Sequence, residues 1–181
     1  MPKIPAPSGD PADPGIVFHR HDHAHCAEDA LSRAETLSDQ RGLRLTPVRR
    51  RTLEILLEEH RALGAYEVLD RLAAEGFGKQ PPVAYRALDF LVDQGFAHRI
   101  RRLNAFTACV HSGEPHSPVF LICSGCNTVA EAPGAEVHGA LVGAAQEVGF
   151  AIRRANIEAV GLCPACQADE GAASADETTP A

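Results

Sequence analysis

Apolar residues recur with a helical period between residues 27 and 95 and with strand-like alternation afterwards, and this change of period divides the chain. Ala30, Leu31, Ala34 and Leu37 predict a helix over 27–40, with Gly42 as its stop. Leu45-Thr46-Pro47 reads as a helix start, because a threonine hydroxyl caps a first turn and proline suits the first helical position. The stripe Val48, Leu53, Ile55, Leu56 and Leu57 carries that helix towards His60. Gly64-Ala65-Tyr66 opens a shorter helix, with Val68, Leu69 and Leu72 inward and Gly76 beyond its end. Pro81-Pro82 opens the next, with Val83, Ala87, Leu88, Leu91 and Val92 inward and Gly95 closing it. Two extended segments, 97–101 and 105–110, then flank Leu103-Asn104 as a hairpin.

Helices followed by a two-stranded hairpin predict a winged helix-turn-helix. Segments 65–74 and 82–94 form the helix pair, and the second enters the major groove. Tyr85 and Arg86 then lie on the exposed face of that helix, and Arg101 and Arg102 in the wing. Helix pairs of this kind also occur as plain packing units, so the pattern alone leaves DNA binding open. Past the hairpin, 119–122 and 128–131 read as strands around a CxxC turn, and 135–148 as a helix with Val137, Leu141 and Val148 apolar. Phe150, Ile152, Ile157 and Val160 suggest a long strand leading into a second CxxC. A unit this small calls for a metal staple and a dimer interface.

The expected class is therefore α+β: an N-terminal winged helix-turn-helix followed by a small α/β dimerisation domain with a four-cysteine zinc site. The boundaries implied are a disordered, His-rich arm over 1–26, a winged-helix DNA-binding domain over 27–106, a zinc-binding dimerisation domain over 107–168 and a disordered tail over 169–181.

Charge sharpens this division. The net charge is −7, yet residues 41–103 carry 12 basic and 8 acidic side chains, and 11 of the 12 are arginine. Residues 104–181 carry 2 basic and 9 acidic. Arginine suits bidentate contact with phosphate or guanine, although a solvated basic surface with no partner would look the same. No apolar run of ~20 residues is present, so no membrane span is expected. The Pro-rich start lacks a secretory signal's apolar stretch, which points to the cytoplasm. There thiols stay reduced and paired cysteines favour metal over disulfide.

Three groups of residues have metal-ligand chemistry. Cys123-x-x-Cys126 and Cys163-x-x-Cys166 form two chelating turns, and a strand-helix-strand insert between them returns the ends to one place. Four thiolates with no open position favour a structural zinc, against two unlinked pairs or a redox dithiol. His98, Cys109, His116 and Glu131 would make a mixed sulfur, nitrogen and oxygen shell drawn from both halves. On spacing alone the plainer reading is preferred, with an isolated surface histidine, a buried cysteine and an exposed glutamate. The tract His19-Arg20-His21-Asp22-His23-Ala24-His25-Cys26 is the third group, where any zinc affinity would be adventitious or auxiliary. No Ser/His/Asp arrangement or phosphate-binding glycine loop supports an enzyme or a small-molecule substrate.

Together these features resemble the ferric uptake regulator family of metalloregulators. Arg44-Leu45-Thr46-Pro47-Val48-Arg49 is similar to its helix-start motif, and the stretch from Tyr85 to Phe96 to its recognition-helix motif. Phe120-Leu121-Ile122-Cys123-Ser124-Gly125-Cys126 and Gly161-Leu162-Cys163-Pro164-Ala165-Cys166 look like its two zinc turns. The resemblance runs from about residue 28 to 167. Ala87-Leu88-Asp89-Phe90-Leu91, Gly95-Phe96-Ala97-His98 and the lone His116, where iron-type members carry a His-His-Asp-His run, look like the zinc uptake regulator branch.

The resemblance implies a homodimeric repressor of zinc-uptake genes that binds operator DNA with two zinc ions per protomer. The four cysteines would hold the structural ion, and His98, Cys109, His116 and Glu131 the sensory one. Tyr66, Tyr85 and Arg86 match positions that approach DNA. Val83-Ala84 stands where the family has Thr-Val, Asn127 replaces a glycine, and His111 competes with His116 as the imidazole ligand. The alternatives are an iron- or peroxide-responsive repressor of the same family and, in another class, a CxxC thiol oxidoreductase.

Overall fold

The computed structural model describes residues 23–59, 61–113 and 116–169. The tail beyond 169, the arm before residue 23 and the His19 to Asp22 part of the His-rich tract lie outside the described residues. The fold is α+β, in two halves that each carry a three-stranded sheet.

The first half opens with α1 (His23–Gln40) and α2 (Pro47–Leu57). Helix α1 begins inside the segment expected as a disordered arm. Thr46 precedes α2 in extended conformation with Pro47 next, but its hydroxyl makes no capping hydrogen bond. Leu53, Ile55, Leu56 and Leu57 of α2 are buried, and the helix stops at Leu57, short of His60. Strand β1 (Leu63–Gly64) leads directly into α3 (Ala65–Ala74), followed by α4 (Pro81–Asp93).

The inward face of α4 is Ala84, Ala87, Leu88 and Leu91. Val83 and Val92, expected inward, are half-buried, because Ala84 and Leu91, seven positions apart, sit two turns apart and centre the buried stripe on Ala84 and Leu88. Gly95 ends α4 with φ +74°, a conformation other residues resist. Its N–H bonds Val92 O at 3.1 Å and that of Phe96 bonds Leu91 O at 2.8 Å, the paired bonds of a Schellman ending. Phe96 is thereby buried, and the chain turns straight into β2 (Ala97–Ile100) and β3 (Ala105–Ala108). The expected hairpin proves to be a three-stranded sheet in the order β1-β3-β2, all antiparallel.

Buried Leu53, Ile55, Leu56, Val68, Leu72, Leu88, Leu91 and Phe96 form the core of this half. A chain of ion pairs covers its surface. Arg51 joins Glu54, Glu58 and Glu75; Arg71 joins Glu58 and Glu59; and Arg61 joins Glu59 and Glu67.

The second half is β4 (Pro118–Cys123), β5 (Val129–Pro133), α5 (Ala135–Glu147) and β6 (Ile157–Gly161), with sheet order β5-β4-β6. Strand β5 pairs antiparallel with β4, and β6 parallel, after the crossover through α5. The long strand expected from Phe150 shortens to Ile157–Gly161. Its neighbour among the described residues, β4, pairs with it from Val119 to Cys123. Among the described residues helix α5 buries none of its side chains: Val137 and Leu141 stay exposed, as do Val148 and Phe150 just beyond its end.

A second apolar cluster joins the halves, with Ala62, Ile100 and Ala105 packed on Phe120, Ile122 and Val129.

Candidate metal centres and nucleic-acid interface

Parallel pairing of β4 and β6 builds the first centre. Register places Cys123 opposite Gly161, so both strands end side by side and each runs into its CxxC turn. The Ser124 N–H bonds Gly161 O at 2.8 Å and locks the two ends together. Asn127 closes the first turn with φ +59°, a left-handed conformation that asparagine tolerates in place of glycine. A β-carbon on Gly125 would lie 2.9 Å from Cys166 Sγ, so the turn needs glycine for its close approach.

Ligand atoms of Cys123, Cys126, Cys163 and Cys166 lie within 4.8 Å of one another. Cys126 Sγ and Cys163 Sγ are 3.8 Å apart. That is far from the ~2.05 Å of a disulfide, and it matches the ~3.8 Å edge of a tetrahedron with metal–sulfur distances of ~2.3 Å.

The backbone prepares this cage for negative sulfur. The N–H of Cys163 points at Cys123 Sγ from 3.2 Å and, with those of Cys126 and Gly125, pulls that thiol down to about 6. Hydrogen bonds to the neighbouring sulfurs, with Cys163 first, push the Cys166 thiol up to about 12. Four thiolates cannot coexist at this spacing without a cation between them. A zinc ion fits the set.

The second group is assembled across the two halves. His98 stands on β2, Cys109 follows β3, His116 precedes β4, and Glu131 stands on β5. One ligand atom from each lies within 4.8 Å of every other. His116 Nε2 is 2.9 Å from Glu131 Oε1, 3.4 Å from Cys109 Sγ and 3.4 Å from His98 Nε2. His98 Nε2 is 3.6 Å from Glu131 Oε2. His111 stands outside this cluster, with Nδ1 3.6 Å from Glu131 Oε1.

Cys109 and Glu131 are buried, and neither Glu131 oxygen receives a well-formed hydrogen bond among the described residues. Burial opposes ionisation of Glu131, but the imidazoles of His98, His116 and His111 beside it hold its carboxyl below the ordinary value. Burial, then Glu131, pushes the Cys109 thiol up to about 12. A buried carboxylate facing two imidazoles and a thiol suits a divalent cation of borderline softness.

A cleft of about 900 Å³ opens beside this cluster, lined by His98, His116, Arg99, Arg101, Arg153 and Arg154 among others. The ring of Phe120 lies 5.1 Å from that of His98 and backs it on the inner side. That contact escaped the sequence, since nothing in the alternation of β4 tells which half its inward phenylalanine meets.

The candidate DNA-contact residues fall in two places. Tyr66 in the first turn of α3 is 64% exposed, and Tyr85 on α4 is 40% exposed, with exposed Arg86 beside it. Arg50, Arg51, Arg61 and Arg71 are tied up in ion pairs, whereas Arg44, Arg49 and Arg86 form none among the described residues. Arg49 instead stacks 3.6 Å over the Phe90 ring. Arg101 and Arg102 are exposed at the β2–β3 turn, but the turn is docked on the second half, where Glu158 accepts both of their backbone N–H groups. No helix of the described residues is long and apolar enough to cross a membrane.

No family model matches the chain. It is 38% identical over 140 residues to the zinc uptake regulation protein of Escherichia coli (strain K12), covering 77% of this chain and 82% of that protein. The Shigella flexneri protein of the same name matches at the same level. Among solved structures it is similar to a zinc uptake regulator complexed with zinc and DNA, with TM-score 0.76 and 37% identity over 80% of this chain and 97% of that one. It is also similar to holo XcZur, with TM-score 0.70 and 37% identity over 76% and 96% of the two chains. With sequence identity sustained over three quarters of both partners and a shared backbone, this chain belongs to the zinc uptake regulator family.

Proposed function

We propose that this chain is a zinc-responsive transcriptional repressor, a cytoplasmic homodimer that binds operator DNA when zinc-loaded and controls zinc-uptake genes. The observation that carries the reading is the four-donor cluster of His98, Cys109, His116 and Glu131, contributed by both halves. Relatives named for zinc uptake regulation, one of them captured with zinc and DNA, support it.

Each protomer holds two zinc ions in this reading. The four cysteines hold a structural ion that staples β4 to β6. The mixed cluster holds the sensory one, and its thiolate favours zinc over iron or manganese. When bound there, zinc supplies the positive charge that lets the buried carboxylate and thiolate share one site. In its absence Glu131 opposes ionisation of Cys109, and no ion at the cluster ties the two halves into one orientation. In its presence His98 and Glu131 hold one orientation, a population shift rather than a new shape. Moving the balance from 1:99 to 99:1 takes about 5.5 kcal/mol of differential binding, within the roughly 10–16 kcal/mol that structural zinc supplies in zinc-finger peptides.

Tyr66, Tyr85 and Arg86 meet the DNA, with Arg101 and Arg102 at the hairpin turn. The partner protomer covers the apolar face of Val137, Leu141, Val148 and Phe150, which nothing among the described residues buries.

DNA affinity measured at zinc levels that fill only the four-cysteine site, and again with both sites filled, tests the proposal. Tighter binding with the second ion is expected; equal affinity overturns the reading.

A further inference from the structure

One row of side chains on the second sheet faces the first half. Phe120 on β4 is paired with Glu131 on β5 and with Glu158 on β6, and directly paired residues project to the same side of a sheet. Glu131 enters the mixed donor cluster, and Phe120 packs on the His98 ring. Glu158 reaches the β2–β3 turn. Its Oε1 accepts the N–H of Arg101 at 2.7 Å, and its Oε2 accepts that of Arg102 at 3.0 Å. Asn156 Nδ2 donates to Oε1 at 2.6 Å and orients the carboxylate.

A carboxylate holding two successive backbone N–H groups is a bidentate, charge-assisted contact. The turn it grips is well defined. Asn104 takes φ +48°, its N–H bonds Arg101 O at 3.1 Å, and its Oδ1 accepts from Arg99 at 2.8 Å. Position is therefore transmitted along β2, the strand that carries His98. Between the two contacts lies the apolar cluster of Ile100, Ala105, Phe120 and Ile122.

We propose that Glu158 is a positioning residue that latches the β2–β3 hairpin onto the second sheet in the orientation that completes the His98, Cys109, His116 and Glu131 site. The inference rests on the sensory reading of that site. The carboxylate and the metal cluster grip opposite ends of one cross-strand row against one hairpin, so they stabilise the same arrangement. Each strengthens the other by the same factor. Breaking the latch lowers the fraction of molecules with His98 in place, and the apparent zinc affinity falls with that fraction.

The test uses the full chain with its four-cysteine site filled, zinc as the probe, and a competing chelator to read the second affinity. Glu158→Ala is expected to bind the second zinc ~10-fold more weakly, the scale of losing hydrogen bonds to a charged group. Glu158→Gln keeps one carbonyl acceptor and should fall between. Glu147→Ala removes an exposed negative charge on α5 and should match the parent chain. Amide hydrogen exchange should speed up at Arg101 and Arg102 in the turn and stay unchanged in β2 and β3.

Equal second-zinc affinity in Glu158→Ala and the parent chain overturns the latch. So does a general loss of protection through both sheets, which would make Glu158 merely structural. A parent chain that takes up a single zinc ion removes the sensory reading itself, and the latch with it; that failure shows before any variant is made.

Discussion

His98 Nε2 and Glu131 Oε2 face each other at 3.6 Å although one stands on the first half's hairpin and the other on an edge strand of the second sheet. No stretch of helix or strand runs continuously between them; Cys109 and His116 occupy the connection. A rigid rotation of one half against the other separates this pair at once, whereas the four-cysteine cage lies wholly within the second half. In the proposed reading, topology therefore gives orientation sensing to the mixed cluster and structural support to the cage.

Replacing Cys109 with serine removes the sulfur donor from the mixed cluster and nothing from the cage. Zinc content measured by mass spectrometry should fall from two ions per protomer to one, with the dimer and the thermal unfolding midpoint nearly unchanged. One ion in both proteins would refute a second centre.

Replacing Cys123 with serine, or chelating the protein exhaustively, should unfold the second half. Structural zinc supplies roughly 10–16 kcal/mol in zinc-finger peptides, and among the described residues α5 buries nothing that could offset its loss. Circular dichroism should show loss of strand signal and the first half's helices retained. An unaltered spectrum would mean that the cage is not structural.

Arg86→Ala should weaken operator binding by about 1–3 kcal/mol if the guanidinium reads a base. If it contacts phosphate, the slope of log affinity against log salt should decrease by about 1. Zinc stoichiometry should stay the same in either case. Titrations at several salt concentrations separate the two, and wild-type affinity and slope together would remove Arg86 from the interface.

Leu141→Glu places a charge on the exposed apolar face of α5. Sedimentation should show a monomer, with DNA affinity lost and both zinc ions retained by each protomer. A persistent dimer would place the interface elsewhere.

Acid should loosen the first half. The Gly64 N–H, then Arg61, hold the Glu67 carboxyl below its ordinary value, and Arg71, then Arg61, do the same for Glu59. Carboxyls depressed in the folded state contribute stability that is fully present above their unfolded value. That contribution is lost as pH falls through the folded one, which sets the window below about 4.5. Both side chains are more than a third exposed, so solvent screening keeps each contribution small, and Glu67→Gln should cost roughly 0.5 kcal/mol at neutral pH. Denaturant melts at pH 7 and pH 4 check both statements.

Much of the first half was legible in the chain. The stripe of α3, the Pro81-Pro82 start and the Gly95 stop appear where the pattern put them, since local sterics and burial agree there. Misreadings fell where partners decide. Thr46 looked like a capping residue and makes no capping bond, and Phe150 looked like the start of a strand whose neighbour β4 does not reach that far. Val137 and Leu141 kept their apolar pattern yet found no core among the described residues.

The two CxxC turns were readable as a chelating set from spacing alone, because each turn fixes its own pair of sulfurs. Bringing the pairs together needed the parallel register of β4 and β6. The mixed cluster was weaker still in the sequence, since Glu131 lies 33 positions after His98 and on another sheet, and spacing carries no information about how two halves dock. Residue types and local periodicity thus determined the helices, the turns and the identity of the thiols. Spacing left open whether His98, Cys109, His116 and Glu131 share one site; the family resemblance implied it, the tertiary structure brings the four donors together, and it alone shows Glu158 gripping the hairpin beside them. The physical reason is that local geometry is written in neighbouring residues, whereas the orientation of two packed halves depends on a surface neither of them contains alone.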